Sequence, residues 1–439
     1  MSNLPVTAII VGAGHRALIY ANLALTNPEK LKIVGVADPN PIRRKKAMEL
    51  FGFGEDMCFS SAASLAERGR LADAVINGTM DMQHLSTSLP LLEAGYDMLL
   101  EKPFAANMRE LEILEAAVRK TRRKVMICHV LRYTPFYSAI KRRIADGELG
   151  EIINIQTNEH VSYHHLATSY IRGKWANSQK SGTSMLLAKC CHDLDVIMWL
   201  MGDVAPLRVC SFGGRRQFTP ENAPEGAGTI CMKDCPLVDS CNYSTKKIYI
   251  DNPTGKWGFY LWDALEDRTN PTREDKIALM KSDSPYARCV YKCDNDVVDR
   301  QSVMIEFENG ATATHNMVGA SAEPRRFIHV VGTKGELFGN FEESRFTVLR
   351  IAPSSDPACP EFTEETVDLN VTGDMDGAYG GHGGGDERLA EDFVDFINGG
   401  KPSISCTSIF ESVKGHLCAF LADESMAKGG MPIFFKESR

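Results

Sequence analysis

A chain of 439 residues is long enough for about two domains with sizeable cores. Its hydrophobic fraction of 44% and charged fraction of 24% are those of an ordinary globular protein, and a net charge of −8 argues against nucleic acid or an anionic membrane as the main partner. No apolar run reaches the ~18 residues of a membrane span, and Met1 to Val6 lack a basic, apolar leader, so a cytoplasmic protein is expected. Thirteen cysteines are many. Several (Cys128, Cys190, Cys191, Cys418) stand in apolar surroundings, where a reduced cysteine acts as a small hydrophobe, and disulfides are not expected.

The run Ala8-Ile9-Ile10-Val11 reads as a strand buried on both faces, followed by Gly12-Ala13-Gly14-His15-Arg16-Ala17 and an apolar helical pattern. This is the strand–turn–helix setting in which the glycine pattern means dinucleotide binding. Gly12 permits a sharp turn, Gly14 admits a pyrophosphate to the backbone, and Ala17 allows close helix–strand packing. A second strand from Leu31 ends at Asp38, 26 positions after Gly12, where a carboxylate suits the adenosine ribose. A carboxylate there repels a 2′-phosphate, so NAD is favoured over NADP. Arg43 and Arg44, just beyond, read as a solvated helix face.

A helix from Arg43 to Phe51 precedes a buried strand, Ala72 to Asn77. The turn Asn77-Gly78-Thr79 should lie at the carboxyl end of the sheet, where cofactors bind in open α/β folds, with His84 on the next helix. The strand Tyr96 to Leu100 ends in Glu101-Lys102-Pro103. A helix, Met108 to Arg119, and a strand, Lys124 to Val130, complete an alternating series that predicts a parallel sheet.

Together with Arg132-Tyr133-Thr134-Pro135, Gly147 to Ile152, His192-Asp193-Leu194-Asp195, Asp299 to Phe307 and Gly332 to Leu337, these motifs resemble the Gfo/Idh/MocA oxidoreductases. The resemblance spans the chain except for about 211–290. It implies an α/β architecture: an N-terminal Rossmann domain (1–131), then a C-terminal α/β domain with a large, mostly antiparallel open sheet (132–439). It further implies NAD as cofactor, with His15, Arg16 and Glu101 joining the glycines, Asp38 and the Asn77–Thr79 turn around it. Sugar, inositol or glycoside substrates and a homodimer or homotetramer are also implied.

Lys102, before a proline at a strand end, can aim its ammonium at the nicotinamide and a substrate hydroxyl, stabilising an alkoxide. From about Leu187 the sequence reads as a helix on which His192 and Asp195 share a face, a pairing suited to acid–base work near neutral pH. The family implies a histidine at this place as proton acceptor or donor. It often carries an aspartate four residues earlier, where this chain has Ala188 followed by Lys189, a second candidate cation at the substrate. Arg172 and Trp175 offer fork hydrogen bonds and a stacking face to a sugar, as does His165. His382, in the glycine-dense loop Tyr379 to Asp386, can swing to a ligand, with Asp386 capping the next helix.

The insertion-like stretch at about 211–290 carries Cys231, Cys235 and Cys241 among aromatics (Tyr243, Tyr249, Trp257, Tyr260, Trp262). Its C-x3-C-x5-C spacing matches no standard zinc knuckle; free thiols are expected, and a fourth metal ligand would have to come from elsewhere, such as Cys210. The aromatics suit a lid over a carbohydrate pocket. Asn309-Gly310 marks a hairpin between Asp299–Phe307 and Ala311–Met317, and Ser408 to Ala427 reads as a helix. The expected activity is NAD-dependent hydride transfer from a carbinol carbon. Two alternatives stand beside it: redox-assisted glycoside cleavage, and a non-catalytic dinucleotide-binding sugar sensor.

Overall fold

The computed structural model describes residues 4–356, 358–359, 361–369 and 382–435. Six strands, β1 (Val6–Val11), β2 (Leu31–Ala37), β3 (Cys58–Phe59), β4 (Ala74–Asn77), β5 (Asp97–Leu100) and β6 (Val125–Ile127), form a parallel sheet in the order β3-β2-β1-β4-β5-β6. Their short apolar runs are buried on both faces, as crossover helices on each side require. The chain reverses direction across the sheet between β1 and β4, so the turns after these strands meet at the carboxyl edge, where ligands bind such sheets.

Nine strands make the second sheet: β7 (Ile152–Ser162), β8 (Pro206–Gly214), β9 (Arg300–Phe307), β10 (Thr312–Ser321), β11 (Arg325–Gly332), β12 (Gly335–Asn340), β13 (Arg345–Ile351), β14 (Phe362–Asp368) and β15 (Ile433–Phe434). Their order is β14-β13-β12-β11-β7-β10-β9-β8-β15, antiparallel throughout except at β7–β10. The sheet alternates: Gln301, Val303 and Ile305 of β9 are buried, while Met304 faces outward, 58% exposed. The helices Met185–Met201 and Ile409–Ala427 pack together and cover the inner face.

The last part of the chain returns to the first sheet. Leu389, Phe393 and Val394 of the helix Gly385–Ile397 enter its core beside Met126 and Tyr133, and the Ile127 amide donates to the Thr407 carbonyl (2.8 Å). Residues 215–299 fill the gap between β8 and β9 with short helices and turns around a small core of Ile248, Tyr249, Trp257, Leu261 and Met280.

Candidate active site

Gly12 adopts φ +75°, and a Cβ there would lie 2.8 Å from the Thr79 amide nitrogen. A Cβ on Gly78 would likewise meet the Ala17 methyl at 2.8 Å. The two turns interlock because both glycines lack side chains. A Cβ on Gly14, by contrast, would meet nothing within 4 Å, so the backbone is open at the position where a pyrophosphate approaches. Asp38 is buried at the end of β2 and accepts hydrogen bonds from the Ala13 and Asn40 amides (2.7 Å each), and its oxygens retain lone pairs for ribose hydroxyls. An open glycine edge with an acid beside it fits a dinucleotide.

Other residues expected at the cofactor act as supports. Asn77, fully buried, bonds Thr87, Ser88 and Thr79 and so holds the β4 turn. His84 bridges the Pro103 carbonyl (2.7 Å) and the Thr79 carbonyl (3.0 Å), tying the β4 turn to the Lys102-Pro103 turn. The Arg16 guanidinium is taken by Glu101 (3.2 Å), Asp386 (2.5 Å) and the Tyr20 hydroxyl. Its charge is thus committed to neighbouring carboxylates rather than left for a phosphate. Asp386 lies in the first turn rather than at the cap of its helix and also receives His382 (2.9 Å). Residues 379–381 of that glycine loop lie outside the described residues. His15 stands 6.1 Å from the Trp262 ring, and burial, with Arg16 adding to it, lowers its pKa to about 4.

At the end of β5 the Lys102–Pro103 peptide is cis, and the Glu101 carboxylate receives the Lys102 amide (2.9 Å). The Lys102 ammonium reaches the Ala188 carbonyl (3.0 Å), one helical turn before His192. Among the described residues it has no carboxylate partner. His192 is 8% exposed and its Nδ1 has no hydrogen-bond partner. Burial, then the nearby Lys102, holds its pKa well below the ordinary 6.5, so it is neutral at pH 7. The His129 ring meets it edge-on at 5.8 Å, and His416 stacks on His129 at 5.6 Å.

The face of the same helix toward β7 and β11 is ionic. Lys189 pairs with Glu159 (3.1 Å), and Arg326 bridges Glu159 (2.6 Å) and Asp193 (3.2 Å). Against the upward push of burial, Arg326 and Lys189 keep the Glu159 carboxyl below its ordinary range, whereas burial raises Asp193 to about 7. Lys189 is therefore the counter-ion of a buried carboxylate.

Two expected substrate contacts are corrected. Asp195 is fully buried; Arg132 grips it with two bonds (2.7 and 2.6 Å) and His129 lies at 2.7 Å. It does not steer His192. Arg172 is buried away from the site, donating to the Arg288 and Tyr243 carbonyls (2.7 Å each). Trp175 stays near: its indole donates to Asp81 (2.8 Å), just past the β4 turn, and its ring stacks on Tyr170. His165 stacks on Tyr260 at 4.7 Å. Of the aromatics read as a lid, Tyr260 and Trp262 reach toward this region, while Tyr249 and Trp257 are buried in the insertion's own core. His129, Glu159, Arg326 and His416 were not singled out as site residues from the sequence, and Arg132 entered only within a family motif. Each is a single polar residue whose partner lies at least 30 positions away, with no local pattern to mark it.

The chain matches the model of an oxidoreductase family with an NAD-binding Rossmann fold over residues 6–129, and that of the same family's C-terminal alpha/beta domain over 141–427. It belongs to the Gfo/Idh/MocA oxidoreductase family, with an NAD(P)-binding Rossmann domain followed by the α/β domain. YteT of Bacillus subtilis is 27% identical over 82% of this chain and 81% of its own length. Inositol 2-dehydrogenase 4 of Saccharopolyspora erythraea is 26% identical over 54% of this chain and 64% of its own. Among solved structures, a levoglucosan dehydrogenase in complex with NADH and levoglucosan superposes with TM-score 0.66 and 18% identity, covering 98% of this chain and 99% of that one.

Proposed function

We propose that this protein is an NAD-dependent dehydrogenase that oxidises a hydroxyl-bearing carbon of a sugar, inositol or related polyol. The observation that carries the reading is the placing of the Lys102 ammonium against the Ala188 carbonyl, one turn before a neutral His192. When bound, the nicotinamide supplies the hydride acceptor. Lys102 holds the substrate hydroxyl oxygen and stabilises negative charge on it. His192 accepts the hydroxyl proton on its imidazole, a role open to it because it is uncharged. Trp175, His165 and His382 line the approach as apolar and hydrogen-bonding surface for a polyol. Two of the three named relatives are an inositol dehydrogenase and a levoglucosan dehydrogenase, which supports the substrate class.

Preference for NAD rests on Asp38 and on Arg43. The guanidinium of Arg43 is held bidentately by Glu266 (3.0 Å each) and lies over Trp262, so it is not available to a 2′-phosphate. The same reading carries pairing of subunits through the outer face of the second sheet, where Met304, Val318 and Phe338 are exposed, into a dimer or tetramer.

The test is purified protein with NAD and a panel of inositols, aldoses, anhydrosugars and glycosides. Reduced-nicotinamide absorbance should rise with at least one polyol. Lys102→Met and His192→Asn should each lower kcat by roughly 10²–10³-fold. Binding of NAD without turnover of any polyol points to a sensor and overturns the reading. Cleavage of a glycoside without accumulation of reduced nicotinamide replaces it with redox-assisted bond cleavage.

A further inference from the structure

The insertion between β8 and β9 holds a cavity lined by the cysteines 231, 235, 241 and 289, together with Arg172 and apolar groups such as Leu237 and Tyr291. Three segments far apart in sequence deliver the sulfurs. An antiparallel bridge between Ile230 and Arg288 sets Cys231 beside Cys289 (Cys231 N–H to Ala287 carbonyl, 2.8 Å; Cys289 N–H to Thr229 carbonyl, 2.9 Å). The Asp234 carboxylate, capping the amides of Thr229 and Ile230, folds the turn that leads to Cys235. Cys241 closes a turn onto the Leu237 carbonyl. The fourth cysteine is thus Cys289; Cys210 lies in β8.

Two features of this cavity suit bound thiolates rather than four thiols. First, backbone amides point at sulfur: the Tyr243 N–H donates to Cys241 Sγ and the Thr245 N–H to Cys231 Sγ, both at 3.3 Å. The Tyr243 contact comes from two residues beyond its cysteine, as in metal-binding knuckles. Second, Arg172 brings a positive charge into the interior, 3% exposed, with no carboxylate in ion-pair reach among the described residues. Two of its nitrogens bond carbonyls, but Nη1 has no partner. A buried guanidinium without a counter-ion costs several kcal/mol, and sulfur-borne negative charge in the adjoining cavity removes that cost. A nearby fifth cysteine, Cys293, does not line this cavity; its thiol donates to the Cys289 carbonyl (3.2 Å).

The spacing then selects the kind of centre. Tetrahedral zinc, with Zn–S near ~2.3 Å, draws its sulfurs to about 4 Å from one another. Here no three of the four sulfurs lie within 4.8 Å of one another; they surround a space rather than a point. A cubane of iron and sulfide takes four thiolates and spreads them wider than a single ion does. We propose that Cys231, Cys235, Cys241 and Cys289 hold a four-iron, four-sulfide cluster. Arg172 balances its charge, and the cluster pins together an insertion with little regular structure. The centre is structural, and the proposal is independent of the dehydrogenase reading.

The experiment uses the full chain, purified without oxygen and reconstituted anaerobically with equal ferrous and ferric iron and sulfide, then passed over a chelating resin. The expected result is about four irons and four acid-labile sulfides per chain, with a broad visible absorption that bleaches on dithionite. Cys231→Ser and Cys289→Ser should lose most of the iron, and Cys359→Ser, at an exposed cysteine elsewhere, should keep it. Iron stripped by the resin, four freely titrating thiols, or one zinc per chain without sulfide would each overturn the proposal. Because the unsubstituted protein decides between these outcomes, a variant that fails to fold leaves the test intact.

Discussion

Asp195 and His192 share a helix face, yet the carboxylate turns to Arg132 and His129 while the imidazole stands beside Lys102. Against the upward pull of burial, Arg132 and His129 bring the Asp195 carboxyl down to about 2, so it remains charged at every working pH. Asp195→Asn leaves the buried Arg132 guanidinium without its anion and should cost about 3–5 kcal/mol of stability. On the proposed reading the KM for substrate should not change, because Asp195 is fully buried; chemical denaturation and steady-state kinetics on the variant check both halves. His192 sets a second expectation. Its proton is disfavoured by burial and by Lys102, so only well below pH 6.5 does it become charged and lose the capacity to accept one. The acidic limb of kcat/KM for oxidation should therefore lie clearly below 6.5, where an exposed imidazole would place it. A limb at 6.5 or above would remove His192 from the proton-accepting role.

Among the elements, the insertion between β8 and β9 acts in two places. Its Trp262–Glu266 stretch reaches the cofactor edge. Glu266 bonds Asn40 (2.8 Å) and Arg43, and Trp262 packs on His15 and Arg43. Releasing Arg43 by Glu266→Ala should let it pair with a 2′-phosphate, lowering the KM for NADP about tenfold relative to that for NAD. Cofactor titrations at fixed substrate measure the ratio, and an unchanged ratio would clear Glu266 of any part in selection. The helix Met185–Met201 shows the opposite balance between sequence and fold. Its apolar spacing announced a helix and its core-facing residues. The roles of Lys189, Asp193 and Asp195 depended on Glu159, Arg326 and Arg132, brought from β7, β11 and the segment after β6. A helical period reports which residues share a face, but not what the neighbouring element presents to it.

At the scale of the molecule, buried histidines make stability depend on pH. His192, His315 and His416 are at most 8% exposed, and burial lowers the pKa of each, His315 to about 4. The unfolded chain takes up these protons near 6.5; the folded chain refuses them until much lower pH. Their contribution is therefore fully present above about 6.5 and is lost as pH falls toward the folded values. Each group adds a slope of about 1.4 kcal/mol per pH unit in the lower part of that window. Urea midpoints should fall steeply between pH 6 and pH 4.5 (roughly the span set by those values). A flat midpoint there would mean that these imidazoles are protonated in the fold.

Five of the six strands of the first sheet were legible from sequence, because each is a short, mostly apolar run and most of their turns are marked by glycine, an acid or proline; β3, two residues long and half-buried at Cys58, carries no such signal. The hairpin at Asn309-Gly310 and the helix Ile409–Ala427 were legible for the same local reason. The return of the helix Gly385–Ile397 to the first sheet was not, since nothing in an amphipathic pattern names the surface it will cover. Sequence alone thus marked the glycine turn from Gly12 to Ala17, the acid at Asp38, and Lys102 and His192 as site candidates, all of which rest on local backbone demands or on a family motif. Tertiary structure decided which charges are already neutralised, as at Arg16, Lys189 and Asp195, and which cysteine completes the set begun by Cys231. Ion pairs and thiolate clusters are made between segments distant in the chain, so their members become identifiable only when folding brings them together.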